Sequence, residues 1–518
     1  MSQSTTADAR TGVSAGLGDP WVLGLSGGFI VAFLIFALID LGQVQSLVDS
    51  GHAMAAQYLG SFWQLLLLAT FFTAIGVAIS PAGSAVMGDL DEPEMSTFKW
   101  VSIIMCTLLA GGGVFFAAGE PLYHFLETPP VFGADAGSQA AVAPALAQSF
   151  MHWGFLAWAI LGALTSIVLV QTHYRYGKPL QPRTLLYPLF GERVMRNPWG
   201  GIVDAVCVIS VVAGTVGPIG FLATQVSFGA NTLFGLPEGF VTQFGILLVL
   251  ASIYVTSAVT GIHKGIQMLS RFNVFLALGI GAFILLFGPT LFLVNSYLQG
   301  FGTYINDFLP MATVTSETAP DWWMQWWTVF FFAWFLGYGP LMAMFIARIS
   351  RGRTIRQMII ALALAAPIAS TVWFTLLGGS GIYYQLTGAI DLAEPLANFQ
   401  FDVATLTVAQ ALPLGGLMAV LILVLTTIFV ATTGDSMSYT ISMVATGDQE
   451  PHPAVRAFWG ITMALTAAVL LFMGEGSISA LQQFIVVTAV PVSLVLLPSL
   501  YTGPKMAYAM AREQGLVR

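Results

Sequence analysis

Long apolar runs separated by short polar connectors fill the chain from Trp21 to Tyr501. Stretches of about 20 apolar residues, the length that crosses a bilayer as a helix, begin near Trp21, Trp63, Trp100, Leu146, Gly201, Val241, Val274, Trp323, Met358, Leu417, Phe458 and Ala480. In hydrocarbon a spanning segment must satisfy its own backbone hydrogen bonds, and a helix does so. The pattern therefore predicts an all-α integral membrane protein with 12 transmembrane helices. After two leading spans, the other ten divide five plus five. An odd number per half reverses the orientation of the second half, so any structural repeat is inverted.

Composition and charge add an orientation. Of 518 residues, 57% are hydrophobic and only 8% charged, and mean hydropathy is +0.82; no soluble core needs so few charges. All 17 Lys and Arg residues, from Arg10 through Lys99, Arg175, Lys264, Arg351 and Arg456 to Arg518, fall on one side of the predicted topology. This is the positive-inside distribution, and it places both termini in the cytoplasm. The opposite loops carry acids, among them Glu120, Glu127, Asp135, Asp307, Glu317, Asp391 and Asp402. The net charge of -8 thus reports an acidic outer surface and no nucleic-acid partner. The N-terminus lacks a basic region followed by a cleavable apolar segment, so no signal peptide is expected. Cys106 and Cys207 lie inside apolar spans, which argues against a disulfide framework or a zinc site. No paired His/Glu or Cys/His spacing of the kind that binds metal or activates a nucleophile occurs in the spans, so an enzyme is not expected.

Candidate chemistry begins in the eighth span. Trp327, Phe331, Trp334 and Tyr338 recur at spacings of four, three and four, which puts them on one helical face. Such a face holds an organic cation, although the same spacing also serves packing. Gly337, Gly339 and Pro340 are expected to interrupt this helix in mid-membrane, where freed backbone is tolerated only against protein or a watery cavity. No Lys or Arg reaches the midplane, so a substrate carboxylate must be held by backbone. Gly111, Gly112 and Gly113 in the third span weaken the helix and would offer N–H groups to an anion; close helix packing is their other reading. The third and eighth spans occupy matching places in the two halves.

Three segments carry a resemblance: the tryptophan-rich eighth span leading into FIARISRGRT (Phe345 to Thr354), Glu120-Pro121-Leu122 at the end of the third, and HWGFLAW (His152 to Trp158) in the fourth. On these residues the chain resembles the betaine/carnitine/choline transporter family. The resemblance implies a leucine-transporter-type 5+5 inverted repeat preceded by two peripheral helices, assembled as a homotrimer in a bacterial inner (cytoplasmic) membrane. It divides the chain into a cytoplasmic N-tail (1–20), two peripheral helices (21–95), a first repeat (96–300), an extracytoplasmic connector (301–322), a second repeat (323–502) and a short cytoplasmic C-tail (503–518). It also implies secondary active import, by alternating access, of a zwitterionic quaternary-ammonium or sulfonium solute of betaine, choline, carnitine or dimethylsulfoniopropionate type.

Carried over by position, the resemblance makes Trp153 and Trp158 box residues of the fourth span, and Trp334, Phe335 and Tyr338 those of the eighth, with Trp327 and Phe331 beside them. Phe335 and Tyr338 stand where the family often has tryptophan, and Leu161 where it often has tyrosine, so the box is diluted. FVATTGDS (Phe429 to Ser436) resembles the family's sodium segment. It implies a sodium ion, as coupling ion and with no other cofactor, held by Phe429, Thr432 and Thr433 with an unwound third span near Cys106 and Leu109; Thr215 matches one hydroxyl of a second site, and Val211 replaces the other. A proton-coupled symporter, a substrate/product antiporter, and a carrier for a less methylated zwitterion such as ectoine or taurine stand as alternatives. His152 is either a hydrogen-bonded core residue or a proton carrier. Asp435 is either a coupling group or a satisfied polar plug, and Asp204 reads as a favourable charge at a helix start. Arg348, Arg351, Arg353 and Arg356 anchor the inner end of the eighth span or gate it by pairing with Asp89, Asp91, Glu92 or Glu94.

Overall fold

The computed structural model describes residues 18–518 except 89, 91, 110, 111, 261, 262 and 449, with the side chains of 106–109 and 263–267 also left out. Its described residues are helical, the only strand-like pairing being the isolated bridge between Val86 and Thr354. Eleven helices among them are long and apolar enough to cross a membrane. The remaining expected span, the third, is present as two shorter helices, Thr97–Leu109 and Gly112–Leu126. Its glycine run lies partly outside the described residues, because Gly111 is one of those left out.

Helix ends follow local chemistry. Asp19 accepts from Trp21 N (3.0 Å) ahead of Pro20, starting the first span, Pro20–Ile39. Asp40 accepts from Gln43 N (2.9 Å) and starts the second, Leu41–Ile79; each carboxylate takes up a backbone donor that the helix cannot satisfy. Burial then sorts the spans. The most apolar window of the fourth span is 100% buried and those of the fifth (Trp199–Phe234) and eighth (Asp321–Ile349) 89%, against 28% for the first and 22% for the seventh. The third, fourth, fifth and eighth spans thus form the interior, and the first and seventh face outward.

The expected interruption of the eighth span is not found. The eighth span runs unbroken from Phe330 to Ile349 through Gly337, Gly339 and Pro340. Its irregularity is a π-turn nearer its N-terminal end, at Gln325–Val329. The glycines serve close approach: a Cβ on Gly337 would lie 2.5 Å from Ser210 Oγ of the fifth span, and one on Gly339 2.9 Å from a Leu496 methyl. Small residues at such contacts let membrane helices pack backbone to backbone. The fourth span is the broken one. Val142–Trp153 stops at Gly154 (φ −102°, ψ −137°) and restarts as Phe155–Ile160, with Phe155 N donating to Tyr304 OH (3.0 Å). A Cβ on Gly154 would sit 2.2 Å from Phe150 O and 2.6 Å from Tyr304 OH.

The segment expected as a short C-tail is a helix, Ser499–Glu513, packed on the C-terminal part of the fourth span, Thr165–Val170. Its Gln514 exchanges two side-chain hydrogen bonds with the backbone of Val86 (2.8 and 2.7 Å).

Candidate functional site

Rings from the third, fourth and eighth spans converge. Trp153 meets Trp334 edge to face (centroids 5.9 Å, 79°), Phe335 (5.4 Å, 85°), Phe331 (5.3 Å, 64°) and Phe374 (5.1 Å). Phe330 stacks on Trp334 (5.5 Å, 29°), and Phe116 and Phe221 pack around them. Both indoles are held by their N–H groups: Trp153 donates to Glu120 Oε2 (2.7 Å) and Trp334 to Gly214 O (3.1 Å). A buried indole seeks such a partner, and here the partner fixes the direction of the ring face.

Glycines make the convergence possible. A Cβ on Gly112 would lie 2.3 Å from one Trp334 ring carbon and 2.7 Å from a Trp153 ring carbon. One on Gly214 would lie 2.8 Å from the Tyr338 ring. Gly112 is therefore the floor against which both tryptophans lie. Gly113 O accepts from Trp373 Nε1 of the ninth span (3.0 Å). Gly214 carried no sequence signal beyond being one of many membrane glycines.

The expected box residues divide. Trp153, Trp334 and Phe335 keep 3%, 5% and 8% exposure, whereas Trp327, Phe331 and Trp158 fall to 1%, 0% and 1%. Tyr338 is half-buried, its hydroxyl 3.0 Å from that of Thr215. Trp327 and Phe331 belong to a packed layer with Tyr123, His124, His152 and Phe401. Trp158 is set apart. Beyond the Gly154 break its Nε1 donates to Ser370 Oγ of the ninth span (2.9 Å), and it makes no ring contact with Trp334 or Trp153 among the described residues. The resemblance had put the two tryptophans in one box; the break at Gly154 lies between them.

The sodium residues are only partly described. Gly111 and the side chains of Cys106 and Leu109 lie outside the described residues. The tenth span, Gly415–Thr446, is continuous through Phe429 rather than unwound. Thr432 Oγ1 donates back to Ile428 O (2.9 Å) and lies 3.2 Å from Phe429 O, the self-bonding common for hydroxyls in helices. Thr433 is half-buried beside it. Thr215 Oγ1 donates to Val211 O of its own helix (2.7 Å) and so accepts from Tyr338 OH (3.0 Å), which ties the fifth span to the eighth. Asp435 is buried in the tenth span.

Glu120, expected on an outer loop, is fully buried. Its Oε1 accepts from His152 Nδ1 (2.6 Å) and lies 3.7 Å from His124 Nε2. Gln148 Nε2 donates to His152 Nε2 (3.0 Å), with Thr328 Oγ1 3.2 Å away. The Glu120 carboxylate thus joins the histidines to the box through Trp153. Asp204 is likewise no simple helix-start charge: it is buried and accepts from Arg183 N (2.7 Å) and Nε (2.6 Å).

At the C-terminal end of the eighth span, the arginines clamp the loop after the second span. Arg351 pairs with Glu94 (3.0 Å) and stacks on Tyr174 (4.6 Å). Arg353 bonds Thr97 Oγ1 (2.8 Å) and lies over Trp100 (4.9 Å), and Arg356 bonds Ala78 O (2.7 Å). Of the expected acidic partners only Glu94 is so engaged among the described residues; carbonyls and a helix-start hydroxyl serve instead. Arg348 is exposed. Met87 N to Arg353 O and Gly352 N to Met87 O (2.8 Å each) join the two connectors directly.

Residues 21–512 match the family model for BCCT, betaine/carnitine/choline family transporter. The chain is 48% identical over 496 residues to glycine betaine transporter 2 of Vibrio parahaemolyticus, covering 96% of this chain and 91% of that one. It is 31% identical over 472 residues to the glycine betaine transporter OpuD of Bacillus subtilis (90% of each). It is 28% identical over 477 residues to an ectoine/hydroxyectoine transporter of Virgibacillus pantothenticus (90% and 93%).

Proposed function

The chain belongs to the betaine/carnitine/choline transporter family, and on that premise we propose that it imports a zwitterionic quaternary-ammonium osmolyte, glycine betaine foremost, as a secondary transporter. It is a multi-pass membrane transporter and not an enzyme. The observation that carries the substrate reading is the Gly112 floor: two indoles from different spans meet over one glycine, each turned by a fixed N–H bond. A ring face attracts a methylated cation through its quadrupole, by about 2 kcal/mol or more once water is excluded, with Trp strongest. Trp153, Trp334, Phe335 and Tyr338 are our choice of cation contacts. The 48% identical relative, named for glycine betaine, points to the same head group, and the relative named for ectoine keeps a less methylated zwitterion as the second reading.

The rings touch one another edge to face, so a trimethylammonium head enters as they part, which suits a carrier that alternates between states. Sodium coupling is our reading for Thr432 and Thr433: hydroxyl and carbonyl oxygens suit a hard cation, and the third span that would face them also carries Gly112. Thr432 Oγ1 spends only its proton on Ile428 O, so its lone pairs stay open to the ion. The five-plus-five inverted repeat is the framework on which such alternation would run.

A thermal-shift panel of glycine betaine, choline, carnitine, dimethylsulfoniopropionate, ectoine and taurine, in sodium or potassium buffer, tests this, since ligands of the folded state raise its apparent stability. Saturable stabilisation by glycine betaine, stronger in sodium, is expected. Stabilisation by none of them would remove the substrate reading; equal shifts in both salts, with proteoliposome uptake that follows a proton gradient or exchange, would remove sodium.

A further inference from the structure

Behind the box, on the far side of Trp153, Glu120, His124 and His152 are each completely buried, and one ligand atom from each lies within 4.8 Å of the others. We propose that this trio is a proton-binding site whose occupancy sets the strength of the neighbouring cation box. The inference rests on the transporter reading above and adds a second ligand to it.

The hydrogen bonds leave the trio one positive charge short. His152 Nε2 accepts from Gln148, so Nδ1 carries the imidazole proton and donates it to Glu120 Oε1. In that arrangement His152 is neutral, and an unprotonated Glu120 is an uncompensated carboxylate, which is costly in a membrane interior, so the trio draws a proton. Among the described residues, the ion-pair partners of Glu120 are the two imidazoles alone. His124 supplies the vacancy for the missing charge. Neither of its nitrogens has a hydrogen-bond partner among the described residues, its Nε2 stands 3.7 Å from Glu120 Oε1, and its ring lies 4.5 Å from that of Trp327. A proton on His124 Nε2 would be drawn to Glu120, and the imidazolium would lie against an indole face. Two nitrogens and one oxygen are a poor set for sodium, which prefers oxygen donors.

Other titratable groups near the trio belong to separate contacts. Tyr123 packs on Phe399 and Phe401, and Tyr304 receives Phe155 N. Glu394 and Asp402 sit on outer segments packed against the third span. None of these side chains is hydrogen-bonded or ion-paired to the trio among the described residues.

The link to the solute is Glu120 Oε2, which accepts the Trp153 N–H at 2.7 Å. An indole that donates to a carboxylate is more electron-rich, and its face holds a cation more strongly. A proton on His124 draws the charge of that carboxylate towards itself and away from Trp153, and weakens the face. Solute and proton therefore oppose each other, and by reciprocity solute binding must expel the proton to the same degree that the proton weakens binding.

Calorimetric titration of the purified full-length protein with glycine betaine between pH 5.5 and 8.5, in buffers of differing ionisation enthalpy, reads both sides of this linkage. Affinity is expected to rise about fivefold or more with pH, with up to one proton released per solute bound. Glu120→Gln should bind weakly with no pH dependence or proton release. His124→Asn should bind as tightly at low pH as the unmodified protein does at high pH, a split that a merely structural role would not produce. Solute binding with no proton release and no pH dependence overturns the inference alone. Absence of binding by every solute of the panel overturns the transport reading with it. A linkage abolished by a chelator would assign the trio to a metal ion and also overturn the proton site.

Discussion

The fourth and eighth spans form a pair of opposites. The eighth contains two glycines and a proline within four residues, Gly337 to Pro340, and runs straight through them. The fourth contains an unremarked Gly154 between aromatic neighbours, and it breaks there. The glycines of the eighth span are occupied by neighbours that need closeness, Ser210 and Leu496, and a packed helix keeps its geometry despite a proline when adjacent helices support it. Gly154 is met instead by Phe150 O and Tyr304 OH, which leave room for no side chain. Glycine in a membrane helix thus marks close approach, and the surroundings decide whether the helix survives.

The largest expected effect tests where the spans meet. Gly112→Ala drives a methyl into both Trp153 and Trp334; losing two cation contacts of about 2 kcal/mol each would weaken glycine betaine binding about a thousandfold, read by calorimetry. Next, Gly154→Ala should lower stability by about 1–3 kcal/mol through overpacking, read as a fall in the thermal midpoint. Trp334→Leu should then cost about tenfold or more in affinity, whereas Trp158→Leu should cost less than about threefold, because Trp158 is bonded to Ser370 outside the box. Equal losses from the two would return Trp158 to the box that the resemblance implies. Arg351→Gln, which removes a half-exposed ion pair with Glu94, should slow uptake a few-fold while leaving the dissociation constant unchanged, since such pairs contribute about 1 kcal/mol or less. Pro340→Ala should be the mildest, with uptake within about twofold of the unmodified protein; loss of uptake would mean that the proline is needed as a hinge.

Much of the membrane architecture was legible along the chain. Eleven of the twelve expected spans are single long helices or helical runs, because a run of about 20 apolar residues has few alternatives in a bilayer. The Trp153 and Trp334 pairing was legible as well, through the motifs that surround those residues. Trp158 came into the box through the resemblance alone; that it lies beyond a break and bonds Ser370 was not legible, since a single glycine carries no sign of the Tyr304 hydroxyl that will press on it. Glu120 was assigned to a loop because it is charged and near a span end, yet its partners, His152 and Trp153, come from another span.

The sequence by itself determined that the chain crosses the membrane many times, that its basic residues keep to the connectors between apolar runs, and that aromatic rings and glycines concentrate in the third, fourth and eighth spans. These follow from the solvation of apolar and charged groups, which each segment meets on its own. Only the tertiary structure decided which glycine breaks a helix, which tryptophan faces which, and that a buried carboxylate stands behind Trp153. Each of those depends on an atom from a distant segment arriving within about 3 Å, a distance at which a single methyl group or a single hydrogen bond decides the outcome.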